Sequence, residues 1–380
     1  MPRQRSIPTT LALASLTLLA TACAEDPFPS DAELQQLLDA TRLTSSAPLD
    51  ATNAHQNDPL AIELGTKLFH DKGLSSCGTI SCESCHGGMG LTVDTPLAKG
   101  CGGDTAHNPP SLWNVAWLDE FMWDGRADRL WNQAVLPMTN PVEMAATPAT
   151  VRTLLTTSYA ADYQKVFGEP VSATADERIL ANVSKAIAAY ENTLRSPNPR
   201  FDEDVARFAA AVKAGTEPQD PSFLGFKVLV RRGACLTCHK GPRLSDSGFH
   251  NVGVSDLNAG AAGALLGIDA TYDWPYSSRG PHSDDPEGAA ANRLLTLRLE
   301  IQQRPANFLG ARRTPSLRAI GLTAPYMHTG ALAKLEDVVD FYSRGGDKEG
   351  TFLGAKSVTI VPLNLSNEEK AALLEVLKSM

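Results

Sequence analysis

Two pentapeptides of the same pattern carry the residues best suited to chemistry. CESCH occupies residues 82–86 and CLTCH occupies residues 235–239. In a C-x-x-C-H segment the two thiols lie about one helical turn apart and form thioethers with a porphyrin, and the following histidine ligates the iron. A disulfide or a zinc site, which needs four converging ligands, would not explain a histidine directly after both cysteine pairs. The sequence therefore predicts two covalently attached c-type haems. The expected axial ligands are His86 and His239, and the expected attachment residues are Cys82, Cys85, Cys235 and Cys238.

Two further cysteines, Cys77 and Cys101, flank the first pentapeptide. In an oxidising compartment such a pair is expected to form a disulfide, worth roughly 3 kcal/mol in the chain-entropy model. Cys77 together with the first pentapeptide also matches the start of a plant-type iron–sulfur pattern. That alternative would leave His86 without a role and the second pentapeptide unexplained. We therefore predict the disulfide.

The N-terminal segment has the features of a secretory signal. Arg3 and Arg5 precede an apolar stretch over residues 11–20, and Cys23 follows in a lipoprotein-like box. We expect residues 1–22 to be removed and Cys23 to be acylated, which would place the protein in the periplasm with a lipid anchor in the outer membrane. The alternative is ordinary cleavage nearby and a soluble periplasmic product.

Length and charge limit the domain number and the partners. The chain has 380 residues and a formal net charge of −9, and removing the leader makes it more negative. An acidic chain of this kind argues against nucleic acid as a partner. The length favours two or three domains, and two haem sites fit one in each half. We divide the chain into one haem domain over residues 24–205 and another over residues 206–380.

Apolar residues repeat at helical spacing along most of the chain, and alternating strand patterns are scarce. Residues 195–221 contain several prolines and predict a linker zone that holds a short helix at 201–213. Residues 255–290 are rich in Gly, Ala, Asp and Pro and predict a long surface loop. These patterns predict an all-α protein with two c-type cytochrome domains. The other predicted helices lie at residues 148–167 and 175–195, from Pro59 to about Phe69, after Asp220, and after the capping residues Ser30 and Ser366.

Six ordered motifs surround the two pentapeptides. They are LFHD at 68–71, NPPSLWN at 108–114, WDGR at 123–126, NPVEM at 140–144, TPSLR at 314–318 and TAPY at 323–326. Their order and spacing resemble the bacterial di-haem cytochrome c peroxidases and their relative MauG, over roughly residues 59–380. The resemblance implies that the haems face the domain interface. It also implies that the N-terminal haem reacts with hydrogen peroxide and the C-terminal haem transfers electrons.

Splitting peroxide on ferric haem needs an open iron face, a base that takes a proton from one oxygen and an acid that returns it to the other. One carboxylate can do both. Glu143, Gln133 and Pro137 are spaced as in the distal pocket of the family. The resemblance therefore implies that Glu143 is the catalytic acid and base, that Gln133 donates a hydrogen bond to peroxide, and that Pro137 bounds the open coordination position.

One position departs from the family pattern. Many members hold a removable histidine on the loop before the Asn-x-Pro-Ser segment, and the matching residue here is Gly100. His107 lies close by and is a candidate substitute ligand, although an isolated surface histidine is the simpler interpretation. We therefore expect the N-terminal haem to be five-coordinate at rest and to need no reductive activation.

Three residues compete as sixth ligand of the second haem, namely Met327, His328 and Tyr342. The family ligand follows the Tyr-x-His-x-Gly turn at the place of Tyr342, where peroxidases have Met and MauG-like proteins have Tyr. A phenolate is a hard anionic donor that lowers the iron potential. The resemblance therefore favours Tyr342 as the ligand.

The resemblance also assigns a relay residue and a metal site. Trp123 matches a tryptophan between the two haems, a π-system able to pass electrons. Asn108 and the carbonyl groups of Thr323 and Pro325 resemble the oxygen ligands of an interdomain calcium ion.

Three functions follow from these residues. The first is a periplasmic peroxidase that draws electrons from a small redox protein, either a cytochrome c or a cupredoxin. The second is a MauG-like oxidase that uses peroxide to modify side chains of a partner protein, and Gly100 and Tyr342 favour it. The third is a non-catalytic di-haem electron carrier, against which Glu143 and Gln133 argue. A second copy of the chain is a candidate partner in each case.

Overall fold

The structure is a computed structural model that describes residues 28–197, 200–218, 220–257 and 262–380. The leader and Cys23 lie outside the described residues, so cleavage and lipidation stay predictions. Within the described part of the chain, no helix is both long enough and apolar enough to cross a membrane. The helices are α1 Asp31–Asp39, α2 Pro59–His70, α3 Cys82–His86, α4 Leu130–Gln133, α5 Val135–Thr139, α6 Pro148–Leu154, α7 Ala160–Phe167, α8 Asp176–Glu191, α9 Phe201–Lys213, α10 Pro221–Val230, α11 Ala264–Tyr272, α12 Ala289–Gln303, α13 Pro305–Phe308, α14 Leu335–Arg344 and α15 Asn367–Ser379.

Strands are confined to two small antiparallel pairs among the described residues. β1 Lys99–Gly100 pairs with β2 Gly103–Asp104, and β3 Phe249–His250 pairs with β4 Arg312–Arg313. The mostly helical prediction is therefore confirmed.

Side-chain caps set the helix starts that the sequence predicts. Ser30 and Ser366 each close a capping box with a glutamate three residues on. Asp58 and Asp220 each accept a hydrogen bond from a first-turn N–H, and a proline follows as the first helical residue. These side chains satisfy N–H groups that would otherwise lack partners, and proline fits there because its missing N–H is not needed.

The buried apolar side chains form three clusters. Helices α2 and α4 to α8 build the first cluster, which carries the N-terminal pentapeptide. Helices α1, α9, α10, α14 and α15 build the second, around the C-terminal pentapeptide. Helix α1 joins this second cluster although it comes first in the chain. Helices α11 to α13 form a third, smaller cluster. The division at residues 205 and 206 itself stays a prediction.

The prediction of a surface loop over residues 255–290 is wrong, because α11 lies inside it with Ala264 and Ile268 fully buried. The Gly- and Ala-rich composition concealed a short apolar helix. Gly267 allows this helix to touch the WDGR segment, since a Cβ there would lie 2.1 Å from the carbonyl oxygen of Asp124. The third cluster thus supports the segment that carries Trp123.

Candidate functional site

The two pentapeptide histidines are held in the same way. His86 Nδ1 lies 3.0 Å from the carbonyl oxygen of Leu91, and His239 Nδ1 lies 3.1 Å from that of Leu244. Burial lowers the pKa of both imidazoles, which favours the neutral form of each ring. A neutral ring whose Nδ1–H donates to a carbonyl keeps the Nε2 lone pair available for a metal. This geometry is compatible with the predicted role of both histidines as axial ligands.

Leu91 and Leu244 were missed by the sequence reasoning. Each follows its histidine by the same interval, within the matching segments HGGMGL at 86–91 and HKGPRL at 239–244. Both leucines have positive φ, 48° and 51°, which turns their carbonyl groups back toward the imidazoles. The repeated interval was the signal that the sequence offered.

The cysteines divide as the sequence predicts. Cys77 and Cys101 form a disulfide with a Cα–Cα distance of 5.8 Å. The four pentapeptide cysteines are unpaired thiols, and burial raises the pKa of Cys82 and of Cys235. Two thiols and a neutral histidine at the wall of one cavity are the donor set of a covalently attached haem. The residues at both pentapeptides therefore fit that group.

Each pentapeptide opens into its own cavity, and the two cavities share a wall. The N-terminal cavity is lined by Cys82, Cys85 and His86, and the C-terminal cavity is lined by the matching residues Cys235, Cys238 and His239. Trp123 lines both cavities and donates from Nε1 to the carbonyl oxygen of Asn108, 2.7 Å away. The other residues of the shared wall are Asn108, Pro109, Pro110, Ser111, Leu118 and Arg313.

The N-terminal cavity gathers the three residues proposed for peroxide chemistry. Glu143, Gln133 and Pro137 all line it together with His86. Asn140 Nδ2 donates to Glu143 Oε1 over 2.7 Å. Burial raises the pKa of the Glu143 carboxyl, and the charge of Arg126 and the hydrogen bond from Asn140 only partly oppose this. A raised pKa makes the carboxyl group easier to protonate, which suits a group that must both accept and return a proton.

His107 lines this cavity, whereas Gly100 does not and instead packs against the backbone of Val142 and Glu143. A Cβ at Gly100 would lie 2.1 Å from the carbonyl oxygen of Val142, so backbone fills the space of a side chain. His107 lines the cavity, but its Nε2 lies 4.0 Å from Asp256 Oδ2 and its ring packs 5.6 Å from that of His328. Burial, followed by the charges of His328 and Arg312, lowers the pKa of His107 to about 4.

All three candidate ligands of the second haem line the C-terminal cavity. His328 Nε2 lies 2.9 Å from Asp256 Oδ2, which also accepts a hydrogen bond from Arg312 Nη2 at 3.0 Å. Burial raises the pKa of the Tyr342 phenol, and the neighbouring Cys235 and Cys238 raise it further. The sequence reasoning missed Asp256, because it lies at the edge of the segment assigned to a surface loop.

The three residues assigned to calcium also line the C-terminal cavity. Asn108 is almost fully buried, and its Nδ2 donates to the carbonyl oxygens of Thr95 and Pro96 at 3.3 and 3.0 Å. Asn108, through its carbonyl, is also the residue that holds Trp123.

The fold and the two donor sets define a helical protein of the cytochrome c class with two C-x-x-C-H sites. A family model for di-haem cytochrome c peroxidase matches residues 59–209. The methylamine utilization protein MauG of Methylorubrum extorquens is 31% identical over 369 residues, which cover 95% of this chain and 88% of that protein. Cytochrome-c peroxidase IdrP1 of Denitromonas iodatirespirans is 31% identical over 382 residues, covering 99% and 93%. The chain belongs to the di-haem cytochrome c peroxidase family and is an oxidoreductase of that family.

Solved structures agree with this assignment. A MauG-like protein associated with microbial copper homeostasis superposes with a TM-score of 0.64 at 27% identity, covering 90% of this chain and 94% of that one. The diheme peroxidase BthA from Burkholderia thailandensis shares the fold, with a TM-score of 0.63 at 20% identity over 89% of this chain and 92% of that one.

Proposed function

We propose that the protein is a periplasmic di-haem peroxidase with hydrogen peroxide reacting in the N-terminal cavity. In this proposal residues 24–205 form the peroxidatic domain and residues 206–380 receive electrons from a small redox protein. The observation that carries the proposal is the meeting of Glu143, Gln133 and Pro137 in one cavity with His86, separated from the second cavity by Trp123.

The bound haems supply the iron centres at which peroxide is reduced and electrons are exchanged. The chain supplies the proton chemistry. Glu143 Oε1 already accepts a hydrogen bond from Asn140. The other oxygen, Oε2, is therefore the atom that takes the proton from one peroxide oxygen and delivers it to the other. Gln133 orients peroxide by donating from its amide nitrogen, and Pro137 limits the space beside it without offering a ligand. Trp123 carries electrons between the two sites.

One observation favours the MauG-like oxidase as a second candidate. The buried Tyr342 phenol lies beside the second pentapeptide, and a bound ferric iron would displace its proton and stabilise the phenolate. Such a site suits storage of oxidising equivalents better than electron intake. In this case the partner is a protein whose side chains are modified.

Steady-state turnover separates the candidates. Holoprotein, peroxide and a reduced cytochrome c or cupredoxin are mixed, and oxidation of the donor is followed by absorbance. The peroxidase proposal expects peroxide-dependent donor oxidation over many turnovers. Rapid reaction with peroxide without donor turnover would favour the MauG-like oxidase, and no reaction with peroxide would reduce the protein to an electron carrier.

We also propose the interdomain calcium site and the haem arrangement given by the family resemblance. The Asn108 amide oxygen and the carbonyl oxygens of Thr323 and Pro325 are hard donors of the kind that calcium prefers. The shared wall between the cavities supports haems that face the domain interface. Lipid anchoring at Cys23 and pairing with a second copy complete the proposal.

Electron paramagnetic resonance of the oxidised protein tests the two coordination sites. With Gly100 in place of a removable histidine and Tyr342 as sixth ligand, we expect one high-spin and one low-spin ferric haem. Peroxide should then react without prior reduction. Tyr342→Phe should remove the low-spin signal. Tyr326→Phe is the control, because its hydroxyl donates to the carbonyl oxygen of Ile320 at 3.0 Å. Two low-spin haems and no reaction before partial reduction would instead indicate a ligand such as His107 in the N-terminal site.

The pH dependence of the peroxide reaction tests the charge around Glu143. The deprotonated carboxylate is the active form, so the rate falls as pH decreases through its pKa. Arg126 lowers that pKa, and Arg126→Gln should therefore raise it and move the acid limb of the profile to higher pH. Stopped-flow rates across pH would show the shift. Arg178→Gln, which removes an exposed charge paired with Glu169, should leave the profile in place.

A further inference from the structure

The backbone around Glu143 is held by a hairpin that contributes no catalytic side chain. In the turn between β1 and β2, the Cys101 N–H donates to the carbonyl oxygen of Glu143 at 2.6 Å. The next residue, Gly102, donates to the carbonyl oxygen of Val142 at 3.0 Å. Both carbonyl groups belong to the segment that aims the Glu143 side chain into the cavity.

A second segment binds the same loop from the other end. The Ser76 N–H donates to the carbonyl oxygen of Met144 at 2.9 Å. Cys77 follows directly and is joined by its disulfide to Cys101. Residues 75–77, 100–102 and 142–144 therefore form one closed unit, which we name the Glu143 clamp.

Gly100 permits the close approach within the Glu143 clamp. A Cβ at this residue would lie 2.1 Å from the carbonyl oxygen of Val142 and 2.6 Å from both the Cα and the carbonyl oxygen of Glu143. Contacts below 3.0 Å with backbone require the backbone to move. Any side chain at residue 100 would therefore push the Glu143 segment away from the hairpin.

The β1–β2 hairpin is too small to hold the backbone of Glu143 in place by itself. Its strands have two residues each, and Gly103 and Asp104 are exposed. Isolated two-stranded hairpins are marginally stable at best, so a covalent tie supplies the order that packing does not. The tie that the structure offers is the Cys77–Cys101 disulfide.

We infer that the Cys77–Cys101 disulfide, acting with Gly100, positions the Glu143 carboxyl for the peroxide reaction. This inference rests on the proposed function of Glu143. The disulfide and Gly100 are positioning elements, since neither side chain reaches the reacting atoms. The Glu143 clamp holds residues 142–144 against the hairpin. Residue 100 of this hairpin is the position at which other family members carry a removable histidine.

A double-mutant cycle tests the inference on the haem-loaded protein. Cys77→Ser with Cys101→Ser is made in the wild-type and in the Glu143→Gln backgrounds, and the second-order rate with peroxide is measured by stopped flow. Misplacing a catalytic group by about 1 Å can cost roughly 100-fold, so we expect a loss of about 10- to 100-fold in the wild-type background. In the Glu143→Gln background the loss should be less than about twofold, because coupled residues are not additive.

Equal losses in the two backgrounds would overturn the inference, because the disulfide would then act on the general stability of the domain. A wild-type rate in the double cysteine variant would overturn it as well. If Glu143→Gln alone leaves the rate unchanged, the proposed function fails first. If Glu143→Gln slows the reaction but loss of the disulfide has no effect, the Glu143 clamp is refuted and the proposed function stands.

Gly100→Ala provides an independent route if the cysteine variant loses haem. It should slow the reaction in the wild-type background but not in the Glu143→Gln background. The acid limb of its pH profile should move to lower pH, because a displaced carboxyl gains solvent and its pKa falls toward the ordinary value. Gly321→Ala is the matched control, since the new Cβ would lie 3.7 Å from the Cα of Lys378, an ordinary van der Waals contact. An unchanged rate and profile for Gly100→Ala would contradict the clamp.

Discussion

Glu143→Gln is expected to slow the reaction with peroxide by about two to four orders of magnitude, the usual contribution of a positioned acid–base group. Glutamine keeps the shape of the side chain and can still contact Asn140, so haem content and fold should be preserved. It cannot accept a proton from peroxide, because an amide is not a base near neutral pH. The measurement is the stopped-flow rate constant at several peroxide concentrations.

The N-terminal cavity offers a matched control for this change. Glu191 is a second buried glutamate in the lining of the same cavity, and burial raises the pKa of its carboxyl to about 8. A negative charge on Glu191 raises the pKa of the Cys82 thiol, so Glu191 acts on the haem-attachment residues and not on Glu143. Glu191→Gln should therefore leave the peroxide rate within about twofold of the wild type. If Glu191→Gln causes the large loss and Glu143→Gln does not, the acid–base role belongs to Glu191.

The sequence alone predicts those parts of the site that depend on local patterns of residues. The pentapeptides, the disulfide pair and the capped helix starts each depend on residues a few positions apart, or on a fixed chemistry of cysteine. The structure places them as expected. Helix α9, Phe201–Lys213, even begins and ends where the pattern within the proline-rich segment predicts.

Contacts made across the fold were not accessible in the same way. The carbonyl groups of Leu91 and Leu244 act through positive φ angles, which residue type alone does not reveal for leucine. Asp256 gains its importance by meeting His328 and Arg312 from distant parts of the chain. The close approach of Gly100 to the backbone of Glu143 likewise joins segments that are distant in the sequence.

The placement of α1 illustrates the same limit. Its capping box and apolar face predict the helix, but an apolar face does not state which partner covers it. Leu34 and Leu37 are buried in the cluster of the C-terminal pentapeptide rather than in the nearer N-terminal one. Sequence proximity therefore gave no guide to which half of the molecule this helix stabilises.

Replacing one pentapeptide's cysteines should remove one haem and leave the other. The wild-type protein should give a c-type pyridine haemochrome spectrum with two haems per chain, and neither should be extracted by acidic acetone, because thioethers are covalent. Cys82→Ala with Cys85→Ala should leave one haem, and Cys235→Ala with Cys238→Ala should also leave one. The physical reason is that the two cavities are built largely by different helix clusters, so each site retains its own support.

The two haem-deficient variants should also differ in kind. Without Cys82 and Cys85 the protein should lose its reaction with peroxide, since Glu143 and Gln133 would have no iron beside them. Without Cys235 and Cys238 the first encounter with peroxide should persist, while turnover with an electron donor should stop. Cys77→Ser with Cys101→Ser is the control for removing a cysteine pair, and it should retain both haems. A wild-type protein with a single haem, or one that loses haem to acidic acetone, would contradict the assignment of both pentapeptides.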